Sequence, residues 1–349
     1  MTGPIERRGG KERSSVMKDP QQISDMSAEV WGEQLFQRFK GKSFPLTGQW
    51  ELTCRCNLKC VMCYTDPFNT PEQIRQELSY EEIIRILDEI HEEGCLELTF
   101  TGGEPFARRD FLDIYTYAKR KGFLLTIFTN GTLITPKIAD HLKTYPPSMI
   151  EVSFHGLTRQ SFDQITLGSG SYESCLEGIG LILERDLPLT LKTVGMSINR
   201  DEILKIKEFV AGLGKAQYKF GSDIRPRLNG SEDVYQYQLP HDEIRAIEQA
   251  DEEFRAERRR KDQCKQEWID QGQELCGGGK YKFHIDAYGR LQLCSNNRSR
   301  GYDLRQGSFR EGFFQFLPEF PCPARRPSQG EPLVNIGTGD SQQKLKETA

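Results

Sequence analysis

Short apolar strands and helical segments alternate along residues 49 to 221, and this alternation constrains the fold more than any other feature of the chain. The six predicted strands are QWELT, LELTFT, LLTIFT, MIEVSF, LTLKTV and QYKFG. The segments between them have apolar residues at helical spacing, and the first contains a capping box formed by Ser79 and Glu82. Strands that alternate with helices predict a parallel sheet with right-handed crossovers. Since six units are fewer than the eight of a closed barrel, we predict an α/β fold with a partial (βα)6 barrel.

The alternation ends near Arg225, and a smaller region of different character follows. Residues 240 to 271 are highly charged and helix-prone, which is typical of a solvated helix face. The stretch GKYKFHIDAYGRLQLC alternates around a turn that ends at Gly289, and this pattern predicts a β-hairpin. The predicted segments are a disordered or helical start over 1–45, a core over 46–225, an α+β module over 226–323 and a disordered tail over 324–349.

The composition favours a packed protein of the cytoplasm. Hydrophobic residues make up 36% of the 349 residues and charged residues 28%. No apolar run approaches the ~18 residues that span a bilayer, and the polar first 25 residues lack the apolar stretch of a secretory signal. The formal net charge is -4, which gives no reason to expect nucleic acid as a partner.

Four of the ten cysteines lie in CRCNLKCVMC, residues 54 to 63. Clustered cysteines in a long cytosolic chain more often bind metal or do redox chemistry than form disulfides. The spacing Cys56-x3-Cys60-x2-Cys63 follows the first strand, where the loops of a βα barrel build the active site. Three thiolates can hold a four-iron cluster and leave one iron open. A zinc site or buried thiols are the alternatives, although zinc usually takes four ligands with paired short spacings.

This loop resembles the signature of the radical S-adenosylmethionine (SAM) superfamily, including the aromatic Tyr64 after the third cysteine. The resemblance implies that Cys56, Cys60 and Cys63 bind a [4Fe-4S] cluster whose open iron chelates SAM. In that family, an electron from the reduced cluster cleaves the sulfonium C–S bond of SAM. The resulting 5′-deoxyadenosyl radical abstracts a hydrogen atom from the substrate.

A second motif, Thr101-Gly-Gly-Glu-Pro105, lies at the end of the second predicted strand. Two adjacent glycines permit a close backbone approach. By the same resemblance, this loop holds the amino group of SAM, and polar residues at the ends of the next three strands contact its ribose, adenine or carboxylate. The residues expected to bind SAM are therefore Gly102, Gly103, Glu104, Asn130, Ser153 and Lys192.

The pattern Cys276-x12-Gly289-x4-Cys294 resembles the opening of the SPASM domain, or of its shortened twitch form, in radical SAM enzymes. The resemblance implies a second, auxiliary [4Fe-4S] cluster, for which Cys264 and Cys322 would complete four ligands. If Cys264 is not a ligand, the open iron could bind substrate directly. The alternative is that these four cysteines are unrelated thiols.

The resemblance implies an enzyme, but the sequence assigns no catalytic residue. SPASM and twitch domains most often accompany peptide and protein modification, so we expect a ribosomally made peptide or protein as substrate. A reducing protein of the flavodoxin or ferredoxin type and a separate leader-peptide-binding protein are the expected partners. Small-molecule synthesis, such as tetrapyrrole or cofactor chemistry, is the second interpretation. A non-catalytic iron–sulfur or zinc protein is the third, and it would leave the Gly-Gly-Glu-Pro loop unexplained.

Overall fold

One nine-stranded sheet organises the part of the chain that the computed structural model describes, which is residues 42–65, 70–270 and 276–320. The strand order is β6-β5-β4-β3-β2-β1-β7-β8-β9. The strands are β1 Thr47–Glu51, β2 Glu97–Thr101, β3 Leu124–Thr129, β4 Met149–Ser153, β5 Leu189–Val194, β6 Ala216–Gly221, β7 Lys282–Ile285, β8 Arg290–Gln292 and β9 Tyr302–Asp303.

Helices connect the strands, and their ends follow local capping rules. The α-helices are α1 Pro71–Gln76, α2 Tyr80–Glu92, α3 Phe111–Arg120, α4 Pro136–Thr144, α5 Arg159–Thr166, α6 Ser171–Glu184, α7 Ile203–Gly212, α8 His241–Ala250, α9 Glu252–Asp270 and α10 Phe309–Glu311. Short 3-10 turns span Pro105–Ala107, Arg200–Glu202, Asp233–Tyr237 and Leu317–Glu319, and a π-helical turn spans Gly312–Phe316. The predicted capping box of Ser79 and Glu82 is present at the start of α2. No helix in the described ranges is both long and apolar enough to cross a membrane.

Strands β1 to β6 are all parallel, and the sheet is open, so the predicted α/β fold with a partial barrel is confirmed. Parallel strands with helical crossovers need a wholly apolar face against the helices. That face carries fully buried side chains from β2, β3 and β4, and the apolar residues of α2, α3, α4 and α6 pack into the same core. The buried strand residues are Leu98, Phe100, Leu125, Ile127, Ile150 and Val152.

The predicted hairpin is present as β7 and β8, with Gly289 at φ +85 in the turn. Its first strand pairs in parallel with β1, so the hairpin extends the same sheet. The charged stretch 240–271 forms α8 and α9, as its composition predicts. The proposed boundary at residue 225 stays a prediction. Residues 1–41 and 321–349, with Cys322, lie outside the described residues.

The other face of the sheet is polar near the carboxyl ends of the strands. We call it the polar face and define it by Glu51, Thr101, Glu151, Ser153 and Lys192, which alternate with the core residues along β1, β2, β4 and β5. Because the carboxyl ends of parallel strands meet at one edge, the loops that follow these strands lie together.

Candidate functional site

The cysteine loop follows β1 and is fastened to the end of α5. The backbone N–H of Lys59 donates to the carbonyl of Thr166 at 3.1 Å, and that of Val61 donates to the carbonyl of Ile165 at 2.8 Å. Leu58 is buried between the cysteines and anchors the loop in the protein. These contacts fix the backbone of the loop, so that its thiols stay at the carboxyl edge of the sheet.

The three predicted ligands Cys56, Cys60 and Cys63 are partly exposed and lie near enough to one another to interact electrostatically. Burial raises the pKa of Cys56 to about 12, and the charges of Glu104 and Cys63 add to this effect. Burial, Cys63 and Cys56 also raise the pKa of Cys60 well above its ordinary value. Crowded thiols of this kind become thiolates only beside a positive group, which is what an iron–sulfur cluster provides. The residues therefore fit the implied cluster.

Cys54, the fourth cysteine of the motif, is held by a different group. Its Sγ donates to Oε1 of Glu77 at 3.1 Å, and burial together with this carboxylate raises the pKa of Cys54 to about 11. The same Glu77 oxygen accepts from Thr53 Oγ1 at 2.6 Å and from the backbone N–H of Cys54 at 2.8 Å. Its other oxygen pairs with Arg55 at 2.8 Å. Glu77 thus holds the three residues that precede Cys56, and nothing in the sequence pattern pointed to this role.

The described residues contain no preformed site for a single metal ion. The part of the chain that the structure describes contains no group of three or more His, Cys, Asp or Glu residues placed to hold a single metal ion.

The glycines of the Gly-Gly-Glu-Pro loop pack directly on the backbone of the cysteine loop. Gly103 N–H donates to the carbonyl of Thr53 at 2.9 Å, and Glu104 N–H donates to that of Arg55 at 2.6 Å. A Cβ at Gly102 would lie 2.3 Å from Thr53 O, and one at Gly103 would lie 2.2 Å from Arg55 O. Gly102 also has φ +147, which disfavours other residues. Both glycines are needed for the two loops to touch.

Glu104 is fully buried and joins this pair of loops to the end of β3. Its carboxylate accepts from Thr129 Oγ1 at 2.8 Å and from the backbone N–H of Asn130 at 2.7 Å. Burial raises the pKa of Glu104 to about 7. The side chain of Asn130 in turn donates to Asn57 Oδ1 at 2.9 Å and lies 3.9 Å from the sulfur of Cys56. The structure therefore places Glu104 and Asn130 beside the cysteine loop, and their predicted contacts with SAM stay predictions.

Ser153 and Lys192 are register partners on β4 and β5 and lie on the polar face. The Lys192 ammonium lies over the ring of Phe128, 5.4 Å from its centroid, and burial lowers its pKa. Both residues reach the same edge of the sheet as the cysteine loop. Their predicted contacts with SAM stay predictions.

Two residues near Lys192 have structural roles. His155 is buried, accepts a hydrogen bond from the N–H of Val194 at 3.2 Å, and has a pKa near 4 because burial disfavours its charged form. The amide of Asn199 donates to the carbonyls of His155 and Val194 at 2.7 and 2.9 Å. These contacts join the ends of β4 and β5.

A buried ion pair links the first strand to the C-terminal region, and sequence reasoning missed it. Arg298 donates to both carboxylate oxygens of Glu51, and its guanidinium lies over the ring of Tyr64, 5.1 Å from the centroid. Although burial acts to raise it, the neighbouring His284 and Arg298 side chains lower the pKa of Glu51 to about 2. The only local signal was the charged residue that follows the buried Trp50 at the end of β1.

The predicted auxiliary cysteines are partly within the described residues. Gly278 N–H donates to Cys276 Sγ at 3.4 Å, and a Cβ on Gly278 would lie 2.9 Å from the carbonyl of Leu293. The loop that carries Cys276 therefore packs against the residue before Cys294. Cys264 lies exposed on α9, and Cys322 is outside the described residues. The four-cysteine ligand set stays a prediction.

Comparison with known proteins agrees with this geometry. The AdoMet-dependent heme synthase of Methanosarcina barkeri is 33% identical over 169 residues, which are 48% of this chain and 48% of that protein. The PqqA peptide cyclase of Granulibacter bethesdensis is 32% identical over 164 residues, which are 47% of this chain and 43% of that protein. The chain thus spans about half the length of these curated relatives.

The crystal structure of Streptococcus suis SuiB bound to its precursor peptide SuiA has the same fold. It superposes with a TM-score of 0.59 at 13% identity and covers 88% of this chain and 73% of that one. The family described as the radical SAM superfamily matches residues 50–210, a range that contains the cysteine loop, the Gly-Gly-Glu-Pro loop and Lys192. This chain therefore contains a radical SAM superfamily domain, which spans residues 50–210.

Proposed function

We propose that this chain is a radical SAM enzyme that modifies a ribosomally made peptide or protein. The observation that carries the proposal is the direct docking of the cysteine loop onto Gly102, Gly103 and Glu104 at the carboxyl edge of the sheet. Three crowded thiols lie there beside the backbone of two adjacent glycines. A cluster with an open iron and a bound SAM molecule requires such an arrangement.

Cys56, Cys60 and Cys63 would hold the cluster. When bound, the cluster and SAM supply a 5′-deoxyadenosyl radical, which abstracts a hydrogen atom from the substrate. Glu104 fixes the turn at Thr129 and Asn130, so that the Asn130 amide stays beside Cys56. Glu77 and the fastening of the loop to α5 keep the thiols in place before the cluster is inserted. This chain therefore preorganises the site with its own hydrogen bonds.

The peptide substrate is supported by two likenesses. The first is the PqqA peptide cyclase, whose name describes action on a peptide. The second is the SuiB structure, which has the same fold and contains a precursor peptide. The spacing of Cys276 and Cys294, which resembles a SPASM or twitch domain, agrees with this class. A reducing protein of the flavodoxin or ferredoxin type and a separate leader-peptide-binding protein belong to the same proposal.

A second candidate function is tetrapyrrole chemistry. The observation that favours it is the heme synthase of Methanosarcina barkeri, whose identity over the matched region is as high as that of the peptide cyclase. Both candidates use the same radical-generating site, so the choice between them rests on the substrate.

The first test measures 5′-deoxyadenosine after anaerobic reconstitution and reduction with dithionite in the presence of SAM. Wild type and the control Cys95→Ala, which removes a buried thiol in the turn before β2, should form it. The triple variant Cys56/Cys60/Cys63→Ala should not. A wild-type protein that holds iron and sulfide but forms no 5′-deoxyadenosine would contradict the proposal.

The second test identifies the substrate by isotope transfer. A uniformly deuterated precursor peptide and a deuterated porphyrin are each incubated with enzyme and SAM, and 5′-deoxyadenosine is analysed by mass spectrometry. Deuterium from the peptide supports the peptide function, and deuterium from the porphyrin supports the second candidate. The auxiliary cluster is tested separately, since the triple variant should retain about four irons if the C-terminal cysteines bind their own cluster.

A further inference from the structure

Three cationic side chains gather at the carboxyl ends of β5 and β6. Lys192 on β5 is the register partner of Lys219 on β6, so the two project from the same face of the sheet. Arg225 follows β6 and is close enough to Lys192 for their charges to interact. These three residues form a group that we call the basic cluster.

The carboxylates nearby do not balance the basic cluster. Lys219 pairs with Glu151 Oε1 at 2.9 Å, and the other oxygen of Glu151 is buried and accepts no hydrogen bond. Within the described ranges, neither Lys192 nor Arg225 makes an ion pair, and the one hydrogen bond of Arg225 is to Ser295 Oγ at 3.5 Å. Three positive charges thus share one carboxylate.

This arrangement destabilises the protein when nothing is bound. Lys192 is half-buried, and its ammonium lies over the ring of Phe128. Burial lowers the pKa of Lys192, the carboxylate of Glu151 acts to raise it, and the charges of Lys219 and Arg225 lower it further, so that its charged form is disfavoured on balance. The one carboxylate that acts on Lys192, Glu151, already pairs with Lys219, so a further anion would stabilise the charged form of this half-buried side chain. Such uncompensated charge in a cleft is typical of a binding site.

The location of the basic cluster points toward substrate. The hydrogen bond between Arg225 and Ser295 joins the end of β6 to the residue that follows Cys294, across the edge where the cysteine loop lies. Arg225 also lies outside residues 50–210, the range of the radical SAM domain. The resemblance assigns Lys192 to the carboxylate of SAM, and one carboxylate of SAM leaves Arg225 without a partner.

We propose that the basic cluster is an anion subsite in which Arg225, supported by Lys192 and Lys219, binds a carboxylate of the substrate. This inference rests on the proposed function and specifies it, because the substrate must then carry a carboxylate near the hydrogen atom that is removed. An acidic side chain or C-terminus of a peptide and a propionate of a tetrapyrrole present the same group.

The test uses succinate as the probe and the full chain without added substrate. Thermal unfolding is measured with succinate and with sodium chloride at equal ionic strength. Succinate should raise the Tm of wild type by roughly 2 to 4 °C at saturating concentration. Arg225→Gln and Lys192→Met should lose most of this shift. The exposed control Lys137→Met should keep it.

The stability of the free variants gives a second readout. Lys192→Met keeps an apolar chain over Phe128 and removes the repulsion, so its Tm without succinate should equal or exceed that of wild type. Equal succinate shifts in all four proteins, or a lower Tm for Lys192→Met, would overturn the inference.

Equilibrium dialysis of SAM with the reconstituted enzyme tests whether the basic cluster binds the carboxylate of SAM or a carboxylate of the substrate. We expect Arg225→Gln to bind SAM within about twofold of wild type, and a tenfold weaker affinity would show that the anion is the SAM carboxylate and overturn the inference. An acetylated Glu-containing peptide and a porphyrin tetracarboxylate are then compared as ligands, and Arg225-dependent binding of either supports the subsite. Succinate binding is measured without the formation of 5′-deoxyadenosine. The anion subsite can therefore be refuted while the proposed function holds, and the proposed function can be refuted while succinate still binds.

Discussion

Replacing Gly103 by alanine should disrupt the contact on which the candidate site depends. The added Cβ would lie 2.2 Å from Arg55 O, 2.6 Å from Arg55 C and 2.9 Å from Cys54 O. All three atoms belong to the backbone, so no side-chain rotation can relieve the clash. An ordinary contact is at least about 3.4 Å, and one of the two loops must therefore move by roughly 1 Å.

This displacement acts on two buried hydrogen bonds. The bonds from Gly103 N to Thr53 O and from Glu104 N to Arg55 O are 2.9 and 2.6 Å long, and a shift of this size breaks at least one. Overpacking costs about 2 kcal/mol and a buried unpaired group about 2 kcal/mol. The free energy of unfolding should thus fall by about 4 kcal/mol, which for a chain of this length lowers Tm by roughly 6 °C.

The assay is urea and thermal unfolding of the cluster-free protein, followed by the iron content after reconstitution. Gly180→Ala is the matched control, because Gly180 lies inside helix α6 and a Cβ there meets no atom within 4 Å. That control should be neutral or stabilising, since alanine is the better helix former by about 1 kcal/mol. If Gly103→Ala unfolds like Gly180→Ala and holds the same amount of iron, the proposed docking of the two loops is wrong.

Three further predictions concern residues around the site. Because burial holds the pKa of His155 near 4 against an ordinary 6.5, the unfolded chain takes up a proton between these values that the folded chain does not. Stability should therefore fall by about 3 kcal/mol as pH drops from 6.5 to 4, and His155→Gln should flatten the curve of urea-unfolding free energy against pH. Cys54→Ser should retain the full iron content, since the thiol binds Glu77, and a loss of iron would make Cys54 a ligand. Arg298→Met should lower the free energy of unfolding by about 3 kcal/mol by leaving Glu51 buried without its cation, and adding Glu51→Gln should restore much of it; equal stability of the single and double variants would argue against the ion pair.

Local patterns in the sequence predicted most of the sheet. The strands β1 to β6 and the hairpin turn at Gly289 follow from periodicity and turn chemistry that lie within short segments. The pairing of β7 with β1 could not be predicted, because a hairpin sequence encodes its own turn but not the distant strand that it joins.

The same distinction applies to the candidate site. The spacing of Cys56, Cys60 and Cys63 is local and indicated the ligands. The partner of Glu51 is Arg298, which lies 247 residues away. The hydrogen-bond acceptor of the Cys54 thiol is Glu77, in a separate segment. Such contacts form only when the whole sheet is assembled, so periodicity and motif spacing contain no signal for them.

The position of β1 has a consequence for how the chain folds during synthesis. One side of β1 pairs with β2, but the other side pairs with β7, which begins only at Lys282. Until that strand leaves the ribosome, the radical SAM domain has an unpaired strand edge beside Gly48, on which Phe283 later packs. Open edges of this kind associate with other chains, and long-range parallel pairing is slow. The pairing of β7 with β1 is thus the last parallel pairing of the sheet to form, and we expect a chain cut before Lys282 to aggregate more readily than the full chain in a light-scattering measurement.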